Sequence, residues 1–500
     1  MTDGERRAAD IGRDARDLHR GLRLNLVGYA LRLLYPLLTA VVVVLYGRRA
    51  FGLFTAAQAV LLLALRVCLL GLDKAVLWWV PRRAPGDERN GLYGVLLRVA
   101  AASGLIAAAV AIAGAPWMAS WAGQPEAAAA LRWMAVGLVP LAAMEVLVQA
   151  CLGRRRIEAQ IFIKEGLGST ALPAGALLFW LAGARESGLA WAFVAANTAA
   201  LAGAALYFRR TFRDVPLPAE RWAVPGELWR YALPAGLMET LNSALLRMDV
   251  LVVAALTDAD TVGVYGVVVQ VGSAIRSVRT AFDPLVLAIV SQIGTRPDPE
   301  RLRAAFSRAT SLVLATQAPI FAFLIAFSPW LLPLLGDGYG AATAPVVVLC
   351  AFWVGNGVVG LNSLVVLGYG HSGLAAFDVG ATILAEGLLL LALVPPFGLV
   401  GAAVAVGLAF SLQNVLWAWQ ARRLAAAPLY DRAVLRVALA VAASFAAALV
   451  AGAAVWPAGA APARLAGFAA FLLAGSGALL ALRSRRARRA PGGSTAPAPG

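Results

Sequence analysis

Apolar residues fall in fourteen runs separated by short polar connections. The runs are 22–46, 51–72, 91–115, 127–152, 160–182, 188–208, 229–256, 261–292, 306–335, 341–368, 374–395, 398–420, 433–456 and 462–482. Each is close to the roughly 20 residues that an α-helix needs to cross a bilayer. The pattern predicts an all-α polytopic membrane protein. One stretch, Leu233–Gln292, departs from simple apolar sequence. Glu239, Asn242, Arg247 and Asp249 interrupt its first run; Thr257-Asp258-Ala259-Asp260 makes a polar turn; Gln270, Arg276, Arg279 and Asp283 follow in the second. A charged side chain at the centre of a spanning helix costs about 2.5–3.5 kcal/mol on insertion scales. Such residues therefore face a bundle interior or a wet cavity.

Composition supports the membrane reading. Apolar residues make up 61% of 500 and charged residues 14%, against roughly 45–50% and 25% in soluble domains. The net charge of +16 is explained by topology. With the N-terminus inside, the outward connections hold only Arg48, Arg49, Arg185 and Arg464, while most other Lys and Arg fall in inward ones. This is the positive-inside bias, and it places both termini in the cytoplasm. No nucleic-acid-binding motif accompanies the charge, so no nucleic-acid partner is expected. The polar, charged first 21 residues show no cleavable signal. Cys68, Cys151 and Cys350 lie in or beside apolar runs and read as small hydrophobes. With only two histidines, neither a metal site nor a cofactor is expected.

An internal echo divides the chain. Gly52-Leu53-Phe54 is followed by Gln58, Arg66 and Asp73; Gly263-Val264-Tyr265 is followed by Gln270, Arg276 and Asp283. Leu152-Gly153 and Leu367-Gly368 close the fourth and tenth runs. The expected organisation begins with a basic head, 1–21, lying on the cytoplasmic leaflet or forming a disordered tail. A first six-helix lobe, 22–208, an interlobe connection, 209–228, and a pseudo-symmetric second lobe, 229–420, follow. Two additional lipid-facing helices, 433–482, precede a disordered cytoplasmic tail, 483–500.

Several motifs resemble one family. They are Leu233-Pro234 with Arg247-Met248-Asp249-Val250-Leu251, Tyr46-Gly47 through Phe51-Gly52-Leu53-Phe54 to Gly71-Leu72-Asp73 and Val80-Pro81-Arg82, and Pro395-Pro396-Phe397-Gly398-Leu399-Val400-Gly401. Together they resemble the polysaccharide biosynthesis (O-antigen-type oligosaccharide flippase) family. This belongs to the MATE-like multidrug/oligosaccharidyl-lipid/polysaccharide exporter superfamily. The resemblance implies two six-helix lobes, with helices one, two, seven and eight lining a central cavity. It also implies a lipid-linked oligosaccharide as cargo, with the polymerase and glycosyltransferases of the same pathway as partners.

The residues themselves suggest a chemistry. Arg32, Arg66, Arg247, Arg276 and Arg279 are candidate cavity cations, because a guanidinium binds phosphate oxygens through a planar fork. Structural ion pairs compete with that reading: Arg66 with Asp73, Arg247 with Asp249 or Glu239, and Arg279 with Asp283. Asp378, Glu386, Glu239, Asp249 and Asp283 are candidate ion-coupling carboxylates. Glu145 is a further intramembrane carboxylate. Asp378 and Glu386 lack arginines nearby in sequence, and their spacing of eight places them roughly on one helical face. The leading function is flipping of an undecaprenyl-diphosphate-linked oligosaccharide across the cytoplasmic membrane. A cation-coupled small-molecule antiporter and a lipid II flippase are the alternatives. A membrane glycosyltransferase or polymerase is disfavoured, because the first outer connection, Gly47–Ala50, carries two arginines where such enzymes place an acidic pair.

Overall fold

A computed structural model describes residues 38–82, 92–154, 156–185, 187–213, 226–280, 283, 286, 299–369, 371–425, 432–455 and 460–487. The head 1–21, Arg32, most of the interlobe connection and the end of the tail lie outside these residues. The described residues form helices and turns, with no strand among them. In chain order they are α1 Leu38–Leu69, α2 Leu72–Trp79, α3 Leu92–Trp121, α4 Ala127–Ala135, α5 Leu138–Gly153, α6 Gly168–Leu181, α7 Gly188–Thr211 and α8 Gly226–Leu245. Next come α9 Met248–Leu256, α10 Ala259–Thr280, α11 Pro299–Leu331, α12 Thr343–Val359, α13 Ser363–Gly368, α14 Ser372–Ala425, α15 Arg432–Val455 and α16 Ala460–Ala487.

Among the described residues, eight helices are long and apolar enough to span a membrane, and α4 with α5, bent by 48°, makes a ninth if the pair is one span. Two of the eight contain a glycine that breaks them. Gly47 in α1 takes φ +78°, and Gly398 in α14 takes φ +55°, ψ −136°. A continuous helix as long as α1 would run about 48 Å, well beyond the roughly 30 Å hydrocarbon layer. α14, at 54 residues, is two helices joined at Gly398, while α1 bends at Gly47, after Leu38–Tyr46. The π-helical turn Gln160–Leu167 running into α6, the pair α8–α9 and α16 complete fourteen helical segments. From the second run to the fourteenth they lie where the apolar runs predicted them, while most of the first run lies outside the described residues.

The segments are less regular than the runs suggested. The seventh breaks at Arg247 (φ −132°) between α8 and α9. The fifth opens as a π-helix, and α12 continues through a 3₁₀ turn, Gly360–Asn362, into α13. Small residues let the backbones approach, the usual device where lipid removes the hydrophobic drive for helix association. On α3, Ala107, Ala111, Ala115 and Ala119 are buried at four-residue spacing. A Cβ added at Gly104 would lie 2.8 Å from the Val139 Cα of α5.

The first and second halves touch at two places. At one, a Cβ on Gly52 would lie 1.8 Å from the Ala259 carbonyl oxygen, and a Cβ on Gly263 would lie 1.9 Å from the Arg48 carbonyl oxygen. The glycines of the two echoed motifs thus meet backbone to backbone. Arg48 pairs with Asp260 at 2.7 Å, and Gln124 donates to the Ala254 and Thr257 carbonyls. The other place lies about 30 Å along α1. There Leu70 (φ +49°) and Gly71 (φ +74°) turn the chain, and a Cβ on Gly71 would meet the Ala232 carbonyl oxygen at 2.2 Å. Trp78 stacks on Tyr231 at 4.8 Å, and Lys74 pairs with Glu239 at 3.4 Å.

The last two helices, α15 and α16, pack on α11 through Phe321–Phe445 and Phe323–Phe468. Phe445 also meets Phe471 at 4.7 Å. The apolar groove between these helices has a volume of about 300 Å³.

Candidate functional site: a charged cavity between two halves

Three adjoining compartments lie between the two contact regions. The largest, about 480 Å³, is lined by α1, α5, the π-helical turn, α6, α7 and α10. A second, about 180 Å³, is lined by Arg66, Glu145, Glu239, Asn242 and Arg247. A third, about 40 Å³, holds Asp249, Arg276, Trp353 and Glu386. Leu62, Leu141 and Glu145 border both the first and the second; Ser273 and Arg276 border both the first and the third. Leu246 joins the second to the third. Both halves of the chain therefore build three adjoining compartments with shared walls, apolar for the most part and carrying charged groups from both halves.

The charges are organised around Glu145, on α5. It accepts from Lys164 Nζ at 2.5 Å and lies 3.5 Å from Arg66 Nη2. Arg66 also reaches Asp73 at 3.3 Å, and the buried Asp73 stands beside Lys74, which crosses to Glu239. This chain of alternating charges runs from the large compartment to the contact at Gly71. Burying single charges costs several kcal/mol, and pairing them with hydrogen bonds offsets that cost. Lys164 enters the cavity from the π-helical turn, a widened geometry found often at functional sites.

In the second half, Asp249 is buried. Its Oδ2 accepts from the Tyr265 hydroxyl at 3.0 Å, and its Oδ1 accepts from the Val250 amide. Arg276 lies over the Trp353 ring at 5.3 Å, a cation–π contact that holds the guanidinium at the boundary of two compartments. Glu386 is 0% exposed, and neither carboxylate oxygen has a hydrogen-bond partner among the described residues.

The predicted residues separate into groups. Arg66, Arg247, Arg276, Glu239, Asp249 and Glu386 line the cavity. Arg279 lines none of the three compartments; it donates to the Gly360 carbonyl at 3.0 Å and reaches Asp283 at 3.2 Å. This pair braces α10 against the end of α12. Asp378 lies apart from Glu386: it is 1% exposed and accepts from Gln420 at 2.9 Å. Eight residues turn a helix through about 800°, which leaves the two side chains some 80° apart. Glu239, expected to pair with Arg247, pairs instead with Lys74. Lys74 and Lys164 are cavity-network cations that the sequence reading passed over. Their signal was a lysine beside a carboxylate at a run boundary, Asp73-Lys74 and Lys164-Glu165.

Fold and cavity together define a multi-pass, all-α membrane protein whose two halves enclose a charged chamber. Residues 41–343 match the family described as polysaccharide biosynthesis protein. This is more than half of the chain, and the chain belongs to that family. Among solved structures, the lipid II flippase MurJ in an inward closed conformation is similar with a TM-score of 0.71 at 12% identity, over 93% of this chain and 98% of that one. A MATE protein in complex with MaD5 gives 0.61 at 16% identity, over 82% and 96%. An inward-facing multidrug resistance MATE family transporter of the MOP superfamily gives 0.61 at 15%, over 80% and 98%. These likenesses establish a shared fold. No curated protein matches the chain.

Proposed function

We propose that this protein carries an undecaprenyl-diphosphate-linked oligosaccharide across the cytoplasmic membrane by alternating access, supplying cell-surface polysaccharide synthesis. The observation that carries the reading is the three-lobed cavity, lined by Arg66, Arg247, Arg276 and Lys164 and bounded at each end by contacts between the halves. A diphosphate is a compact anion whose oxygens only accept hydrogen bonds, and guanidinium forks supply donors in matching geometry. The lobes are 22–208 and 229–420. In this reading the positive-inside bias puts the Gly71 contact on the cytoplasmic side and the Gly52–Gly263 contact outside. The polymerase and glycosyltransferases of the same pathway would be its working partners. Family membership favours a glycan cargo, while the fold likeness supports lipid II or a small molecule as the second reading.

The test uses purified protein in vesicles with a fluorescent undecaprenyl-diphosphate-linked N-acetylglucosamine. A hydrogen bond to a charged group contributes about 1.5–3 kcal/mol. Arg247→Ala and Arg276→Ala should each weaken cargo binding by about ten- to a hundredfold and slow flipping, with unchanged membrane insertion. Arg→Lys should restore part of the loss, since an ammonium keeps the charge without the fork. Undiminished binding in both variants would remove these arginines from the site. Export of small cations with no flipping of diphosphate lipids would favour the antiporter.

A further inference from the structure

We propose that Glu145 stands in for the cargo's diphosphate in the empty protein, and that cargo binds by taking Lys164 and Arg66 away from it. This rests on the cargo reading above and concerns how that site is kept and refilled. Glu145 lies near the middle of α5, only 7% exposed, on the wall shared by the first two compartments. Its Oε2 accepts from Lys164 Nζ at 2.5 Å, and its Oε1 lies 3.5 Å from Arg66 Nη2. Lys164 lines the first compartment and Arg66 the second. One carboxylate therefore bridges two cations across a partition, with an oxygen turned to each. A diphosphate, which brings only acceptor oxygens, would make the same contacts.

The balance of charge requires an exchange. Direct pairs join Lys164, Arg66 and Lys74 with Glu145, Asp73 and Glu239. That is three charges of each sign, so the network is neutral as it stands. An added dianion gains little from it unless an internal anion lets go. Glu145 is the member placed to do so. Asp73 lines neither compartment, and Glu239 lines only the second, where it is tied across the halves to Lys74. Once released, Lys164 shares its compartment with Arg276, and Arg66 shares its own with Arg247. The cargo then meets cations from both halves of the chain.

The same pairing serves the return. After cargo leaves, Lys164 and Arg66 would be cations without a partner in an interior that penalises them. Glu145 takes them back, and the halves can close on an empty cavity.

The experiment uses the full-length protein in lipid nanodiscs with two probes, bare undecaprenyl diphosphate and uncharged undecaprenol. Flipping is followed in vesicles with a fluorescent diphosphate lipid. The wild-type chain should bind the diphosphate more tightly than the alcohol. Glu145→Gln keeps the shape and removes the competing charge. It should tighten diphosphate binding about tenfold, since no charged hydrogen bond has to be displaced, and leave undecaprenol binding unchanged. Steady flipping should fall, because the emptied protein returns with its cations unpaired. Glu165→Gln removes a charge from the same compartment wall and should give no such gain. Glu145→Asp keeps the charge with a shorter reach, so it should tighten binding by a few-fold, and it decides the matter if Glu145→Gln folds poorly. A carboxylate that merely braces α5 predicts the reverse, weaker binding on its removal. Unchanged or weaker diphosphate binding in the Glu145 variants would overturn the stand-in while the cargo reading stands. So would an equal gain in Glu165→Gln, or steady flipping of Glu145→Gln at the wild-type rate. If the wild-type chain does not distinguish the diphosphate from the alcohol, the cargo reading falls and the stand-in falls with it.

Discussion

Glu386 is the most costly residue in the cavity wall. A fully buried carboxylate without a hydrogen bond loses its hydration and gains nothing local in return. It shares a compartment of about 40 Å³ with Asp249 and the cation Arg276, which we propose as the seat of an exchangeable proton or monovalent cation. Glu386→Gln keeps the shape and removes the charge. Gradient-driven flipping should drop to the rate measured without a gradient, while cargo affinity stays at the wild-type level. Full gradient response in this variant would move coupling elsewhere, with Asp378 the next residue to test. Residue roles were only partly legible in the sequence. Arg66 with Asp73 and Arg279 with Asp283 were readable because their partners lie seven and four positions away. The Glu145–Lys164 and Lys74–Glu239 pairs were not, because they join segments 19 and 165 residues apart and no local spacing encodes them.

At the scale of elements, hydrophobic run length was a good guide, since the bilayer imposes one length on every span. The breaks were less visible. Arg247 breaks α8–α9 where no glycine or proline falls between residues 237 and 257, and the π-turn at Gln160–Leu167 has no glycine or proline within its first six residues. Caps were readable. Asp258 precedes α10, and its Oδ1 accepts from the Thr261 amide at 2.7 Å, the geometry of an N-cap. That backbone hydrogen bond, reinforced by the Thr261 hydroxyl, lowers the Asp258 pKa below its ordinary value. A lowered folded-state pKa contributes stability above the unfolded value of about 4, and this is lost as pH falls through the folded value. Asp258→Ala should cost about 1 kcal/mol near neutral pH, and the difference from wild type should shrink below about pH 4. Thermal unfolding in detergent at pH 7 and pH 3 measures both. A cost that does not change with pH would assign the effect to something other than the carboxylate.

For the whole molecule, the decisive arrangement is a cavity with a contact between halves at either end. The ion pairs at those contacts are half-exposed: Arg48 and Asp260 are 44% and 34% accessible, Lys74 and Glu239 33% and 29%. Exposed pairs contribute only about 0.2–1 kcal/mol. They bias the closure of an end without locking it, as the alternating access proposed above requires. Asp260→Arg should open the Gly52–Gly263 end, proposed above to face outward, and adding Arg48→Asp should close it again. The readout is thiol labelling of Ser273→Cys from outside, in a background without Cys68, Cys151 and Cys350. A two- to fivefold rise in labelling rate, reversed in the double variant, follows from that energy. No change in rate would mean that the glycine contacts alone hold the outer end.

Those glycine contacts have a consequence for how the gene tolerates change. Gly52, Gly71, Gly236 and Gly263 meet carbonyls, amides or Cα atoms of the opposite half with no room for a methyl group. Bare backbone faces carry no interlocking side chains, so they can part and meet again without rotamers being reset. Any coding substitution at these positions adds a projection to a surface that works by being smooth. In a saturation scan, these four codons should be as constrained as those of the cavity arginines, although none of them lines the three compartments.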